Sequence, residues 1–209
     1  NPLWLTPQYK RVHGKWRVES AFQYAKICNA IYAGIHAGVI SADQGTVQGE
    51  KVACGVTGPT GNDAPATTRA SVDPLTFLSA AKKYGMKKFD VYAHHPYAAR
   101  GSETPAFVPK GKDARRIQLA NIGVLTKLLT KLYGPKPIWI TEYGYQTNPP
   151  DTFLGVPPKK QATLLSLAAM RVWRLPRVTM LIQYLYRDEV ALGRFQTGLV
   201  YANDKPKPS

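Results

Sequence analysis

Pro137-Ile138-Trp139-Ile140-Thr141-Glu142-Tyr143-Gly144-Tyr145 is the stretch on which the reading of this chain turns. Apolar and β-branched residues fill it, and Pro137 and Gly144 bound it, which predicts a buried strand over 137–142. Strand side chains alternate faces, so Ile138, Ile140 and Glu142 are expected on one face and Trp139 and Thr141 on the other. A carboxylate that comes after two isoleucines on one face is costly unless it stands at the strand's end and faces a cleft. The alternative is an exposed Glu142 that opens a loop.

Three further runs read as strands: Lys51–Thr57 (KVACGVT), Lys88–His94 (KFDVYAH) and Val178–Tyr184 (VTMLIQY). Helical periodicity lies before and between them. A first helix is predicted over Glu19–Ala37, with Cys28, Ile31, Tyr32, Ile35 and Val39 recurring on one side and Gly38 near its end. Asp73 is placed as the cap of a second helix, with Pro74 at its first position and Phe77, Ala80, Ala81 and Tyr84 facing the core. A third helix is expected to run from Asp113 to about Tyr133 and bury Leu125, Leu128, Leu129 and Leu132. A fourth starts at Pro157-Pro158, with Leu165, Ala168, Ala169 and Val172 inward. Residues 1–18 read as irregular, and residues 200–209 as a polar tail.

Strands alternating with helices imply parallel βα units, and the near-continuous apolar runs suit strands covered on both faces. A doubly wound sheet and a (β/α)8 barrel both fit this pattern. Polar and aromatic residues gather after each strand, at Gly58–Asp63, His95–Tyr97, Glu142–Gln146 and Gln183–Glu189. A barrel builds its active site at that end of its strands, which favours the barrel. The long connection over residues 98–112 is expected to be a lid or binding loop. No strand is followed by GxGxxG or a P-loop, so no nucleotide cofactor is expected.

The 209 residues fit one domain or a large piece of one. A net charge of +15 favours nucleic acid, anionic polysaccharide or acidic surfaces. The basic residues are dispersed and no nucleic-acid-binding motif occurs, so they read as solvated surface and nucleic acid is not an expected partner. Cys28 and Cys54 read as buried free thiols; no CxxC or His/Cys cluster suggests a metal. No apolar run reaches the ~18 residues of a membrane span. No signal-like N-terminus is visible, and residue 1 is Asn, so a processed or trimmed chain is expected.

The ordered set of motifs resembles the C-terminal half of a clan A glycoside hydrolase, the (β/α)8 retaining glycosidases that include families 5 and 39. Ile138–Gly144 looks like the seventh barrel strand, whose terminal Glu, here Glu142, is that clan's nucleophile. Asp90–Tyr97 looks like the sixth, whose His-x-Tyr element, here His95 and Tyr97, lines the sugar site. Lys51–Thr57 and Val178–Tyr184 take the places of the fifth and eighth strands, and Gln196–Leu199 resembles the end of such a domain. The resemblance implies hydrolysis of a plant or microbial poly- or oligosaccharide by an extracytoplasmic enzyme. It also implies a sugar site of His95, Tyr97, Tyr143, Gln183 and Tyr186, with Tyr145 a further stacking candidate.

The departures are specific. The clan's acid/base lies in Asn-Glu-Pro after the fourth strand, and this chain has no such tripeptide; Asn1–Gln8 looks like the segment just beyond that motif. The clan's eighth-strand Trp is replaced by Gln183-Tyr184. Retaining hydrolysis needs two carboxyls ~5–5.5 Å apart. Of the 13 acidic residues, Glu142 is the one at a strand end, and Asp63, Glu103, Asp151, Asp188 and Glu189 fall on loops. The acid/base is therefore expected upstream of this chain. The competing expectation is a catalytically inactive carbohydrate-binding or scaffold half-barrel that homodimerises. A polyanion binder driven by the +15 charge is the third.

Overall fold

The structure, a computed structural model, describes residues 5–42, 50–191 and 195–208, with backbone alone for residues 39–42. Expectations for Asn1–Trp4, Asp43 and the Val39 side chain fall outside the described residues. The elements are β1 (Tyr9–Val12), β2 (Lys15–Val18), α1 (Glu19–Ala42), β3 (Ala53–Thr57), α2 (Pro74–Lys83), β4 (Val91–His94), α3 (Gly123–Tyr133), β5 (Ile138–Tyr143), α4 (Pro158–Trp173) and β6 (Val178–Gln183).

Strands β3 to β6 form one parallel sheet in chain order, β3-β4-β5-β6. This is the α/β arrangement that alternating strands and helices require. Its core joins Tyr92, Ile138 and Ile140 of the sheet to Leu78 of α2, Leu125 and Leu129 of α3 and Ala168 of α4. Asp73 caps α2, its side chain accepting from the Leu75 N–H at 3.0 Å, with Pro74 in the first turn.

Five expectations are corrected. Residues 9–18 are an antiparallel hairpin rather than irregular chain, with His13 and Gly14 at positive φ in its two-residue turn. Those dihedrals match the primed turns that suit strand twist. Helix α1 continues past Gly38, and its buried stripe is Ala21, Ala25 and Cys28; Ile31 and Ile35, expected inward, are 48% and 41% exposed. Cys28 and Cys54 are joined by a disulfide that ties α1 to β3. Periodicity along each element could not show that the two elements meet at these positions.

The third helix starts at Gly123, ten residues after Asp113. Asp113 ends a short 3-10 turn, and the next segment is drawn onto the sheet. There the Ile117 N–H donates to the Pro59 carbonyl at 2.8 Å, and the Ile117 carbonyl meets His94 Nε2 at 3.0 Å. Tertiary hydrogen bonds thus outcompete local helix propensity. In α4, Leu164 and Gln161 are buried with Ala168, whereas Ala169 faces solvent.

Two loops are tied into the fold. The 98–112 connection is anchored by Glu103, which accepts from the Ala99 N–H at 2.8 Å and Gln118 Nε2 at 2.6 Å and pairs with Arg116 at 3.3 Å. Burial alone pushes this carboxyl up, but its donors outweigh that and hold it below the usual range. The tail is pinned as well. Lys207 is buried and pairs with buried Asp188 at 2.7 Å, while Arg187 pairs with Asp204 at 3.2 Å.

Candidate active site

A β-bulge places the central carboxylate. Between Ile140 and Tyr143 strand β5 advances three residues while β6 advances two, from Leu181 to Gln183. One extra residue reverses the alternation beyond it. Tyr143 therefore joins Ile138 and Ile140 in the core, at 2% exposure, and Glu142 stands beside Thr141 on the opposite, open side. The strict alternation expected from sequence put Glu142 on the isoleucine face. The bulge removes that burial problem.

One imidazole spans both residues, in keeping with this placement. His95 Nε2 lies 2.8 Å from Thr141 Oγ1, and Nδ1 lies 3.3 Å from Glu142 Oε2. A carboxylate only accepts, so a neutral His95 keeps Nδ1–H on the Glu142 side and accepts a hydrogen bond from the Thr141 hydroxyl at Nε2. Burial holds the imidazole below its ordinary pKa, and the Glu142 charge opposes that shift. Tyr97 donates its hydroxyl to Glu142 Oε2 at 3.1 Å. Burial, reinforced by the Glu142 charge, raises its phenol, so Tyr97 remains a donor at neutral pH. Glu142 Oε1 is left without a partner among the described residues.

These groups line a cleft of about 780 Å³ that reaches from α1 across the C-terminal ends of β3, β4 and β5. His95, Tyr97, Thr57, Tyr24 and Phe195 share its wall with Glu142, the one carboxylate among its described lining residues. This is a concave, largely apolar site with a few converging polar groups, the form small-molecule sites take. A smaller pocket of about 170 Å³ adjoins it and shares Tyr97 and Phe195.

The other residues expected in the sugar site do not line this cleft, although Tyr145 lines the smaller pocket. Tyr143 is buried, its ring stacked on Tyr97 at 6.5 Å and its hydroxyl 3.2 Å from that of Tyr145. Tyr145 is also buried, with its phenol pushed up to about 12 by burial, and donates to the Glu103 carbonyl at 3.0 Å. Tyr143 and Tyr145 thus support the cleft from behind through Tyr97. The Gln183 amide is engaged by the Thr197 carbonyl at 2.6 Å and that of Leu185 at 3.3 Å. Tyr186 is 73% exposed and lines neither pocket. Thr141, which holds His95, is the site residue that sequence reasoning missed; its position directly before Glu142 was the available signal.

The loop acids are accounted for by structural bonds. Asp63 accepts from Tyr9 and Thr76 and pairs with Arg115 at 3.2 Å. Asp151 caps a turn through the Phe153 and Leu154 N–H groups, and Glu189 accepts from the Phe195 N–H at 3.0 Å. With Glu103 and Asp188 buried in their own networks, none of the five lines the cleft beside Glu142.

No family model and no curated protein matches this sequence. Solved structures do. A family 39 glycoside hydrolase from the gut symbiont Bacteroides cellulosilyticus WH2 superposes with a TM-score of 0.51 at 20% identity, over 64% of this chain and 28% of that one. PfGH50B superposes with a TM-score of 0.50 at 13% identity, over 90% of this chain and 22% of its own. The chain thus spans roughly a quarter of the length of these proteins. At such identities what is shared is the fold: the parallel βα units of this chain have the fold of part of a (β/α)8 glycoside hydrolase.

Proposed function

We propose that this chain is the C-terminal half of a retaining glycoside hydrolase and that Glu142 is its nucleophile. The observation that carries the reading is the Glu142 carboxylate at the end of β5, which lines the cleft with Oε2 held by Tyr97 and approached by His95 and with no partner for Oε1 among the described residues. Oε1 attacks the anomeric carbon as the glycosidic C–O bond breaks. An acid outside the described residues protonates the leaving oxygen, leaving a glycosyl ester on Glu142. Water then attacks the same carbon and gives its proton to that group, and Glu142 departs as carboxylate. Tyr97 and His95 fix the carboxylate's rotamer and leave one oxygen free, the preorganisation that such a step needs. The Cys28–Cys54 disulfide supports an oxidising, extracytoplasmic setting, and among the described residues no helix is long and apolar enough to cross a membrane.

The test uses leaving groups that need no acid. A panel of 2,4-dinitrophenyl 2-deoxy-2-fluoroglycosides is incubated with the chain, and the labelled peptide is read by mass spectrometry. The expected result is one glycosyl adduct on Glu142 that is absent from Glu142→Gln. An adduct elsewhere, equal labelling of the variant, or none from any sugar overturns the assignment.

A second reading, the carbohydrate-binding homodimer, has its own observation. Among the described residues β3 and β6 end the sheet with no further strand paired to them, and α1 beside β3 exposes Ile27, Ile31 and Ile35. A second copy placed edge to edge would bring eight strands together.

A further inference from the structure

We propose that the smaller pocket beside Tyr97 binds the anionic substituent, carboxylate or sulfate, of an acidic glycan whose neighbouring sugar lies over Glu142. The proposal rests on the glycosidase reading and names its substrate class. The pocket holds about 170 Å³, room for some five or six waters at ~30 Å³ each, so it suits one substituent and part of a ring rather than a second chain. Tyr97 and Phe195 line both cavities, and Gly144 lies two residues beyond Glu142, which makes the pocket the next position along a bound glycan.

Three observations point to an anion. Arg100 lines the pocket, and its guanidinium has no hydrogen-bond or ion-pair partner among the described residues. Arg17, Arg115, Arg116, Arg171, Arg177 and Arg187 are bonded to carboxylates or carbonyls, and Arg69 and Arg174, whose guanidiniums share the lack of a partner among the described residues, line neither pocket. Thr197 lines the same pocket at 2% exposure, and its hydroxyl, closed to solvent in this structure, has no partner among the described residues. A buried hydroxyl left unpaired is costly, and a bound acceptor would satisfy it. Among the described residues no carboxylate lines this pocket to compete for the cation. The guanidinium's planar fork suits a carboxylate or sulfate, and the net charge of +15 draws polyanions toward the surface before either pocket is engaged.

Calorimetry with matched probes tests this. Trigalacturonate is compared with its carboxyl-reduced trisaccharide, and a sulfated carrageenan tetrasaccharide with its desulfated form. Each is titrated into wild type, Arg100→Ala, Thr197→Val and Lys127→Ala, the last removing an equal charge from exposed α3. At least one acidic probe is expected to bind about tenfold or more tightly than its neutral partner, the effect of one charge-assisted hydrogen bond. Whichever probe shows the preference identifies the substituent. Arg100→Ala should remove it, Thr197→Val should reduce it, and Lys127→Ala should keep it. Equal binding of acidic and neutral forms, no binding of any acidic probe, or a preference that survives Arg100→Ala overturns the proposal. Because the readout is binding, a preference abolished by Arg100→Ala without an adduct on Glu142 would remove the catalytic reading and keep the anion site.

Discussion

His94 and His95 are adjacent in sequence, and their surroundings give them different work. His94 is fully buried, with Nδ1 2.9 Å from Thr57 Oγ1 and Nε2 3.0 Å from the Ile117 carbonyl. A carbonyl only accepts, so Nε2 carries the proton, and the neutral ring joins β4 to the segment before α3. Burial pulls its pKa down from 6.5 to about 4. In the unfolded chain the ring protonates as pH falls below about 6.5, whereas in the folded chain it resists until about 4. Stability is therefore full above pH 6.5 and falls across this window. The loss is on the order of 3 kcal/mol, from a shift of about 2.5 pH units. Urea unfolding at pH 7.5, 6, 5 and 4.5 should show that decline, and NMR titration of the folded protein should place the His94 inflection near pH 4. An inflection near 6.5 would mean that burial does not hold the ring neutral. His95, one residue further on, meets Glu142 instead and is free to serve the cleft.

At the scale of elements, alternation and punctuation in the sequence were enough to place four parallel strands and the helices between them. They reach the fold because apolar runs, Pro74 and Asp73 act locally, and the tertiary structure agrees with them. They stop short where one element decides the shape of another. The β5 bulge exists only against β6, so no periodicity in Ile138–Tyr143 reveals it, and it alone decides that Glu142 is open and Tyr143 buried. Glu142, His95 and Tyr97 were legible because each stands at or just beyond a strand's end, whereas Arg100 and Thr197 lie on loops that meet only in space. The disulfide is of the same kind. Cys28 on α1 and Cys54 on β3 close a 26-residue separation. Removing that constraint from the unfolded chain should cost about 3.5 kcal/mol on the loop-entropy relation. Paired Cys28→Ala/Cys54→Ala substitution should lower the denaturant midpoint accordingly and raise the slope, because the unlinked unfolded chain exposes more surface. An unchanged midpoint would mean that burial of α1 against the sheet, and not the cross-link, holds this edge of the fold.

On the scale of the whole molecule, the four parallel strands end at β3 and β6 with no further strand beside either among the described residues, and parallel sheets are ordinarily covered. The faces flanking those edges are apolar. Ile27, Ile31 and Ile35 stand 44%, 48% and 41% exposed beside β3, and Leu167, Met170, Trp173 and Ile182 stand 45%, 56%, 90% and 43% exposed on α4 and β6. Isolated apolar side chains on a surface need no explanation, but a row at i, i+4 and i+8 along one helix marks a contact face. The α1 row lies at one end of the sheet and the α4–β6 group at the other, so they cannot cover each other within one chain. In a two-fold pair, each edge of one copy meets the opposite edge of its partner. The arrangement closes at two copies instead of growing into a filament. The 23.1 kDa chain by itself is therefore expected to sediment as a dimer at micromolar concentration. Charges placed on the α1 row, Ile31→Lys with Ile35→Lys, should return it to a monomer while its circular dichroism is kept, because both side chains already face solvent. A wild-type chain that stays monomeric and binds no hydrophobic dye would show that these faces need no partner, and would remove the homodimer reading.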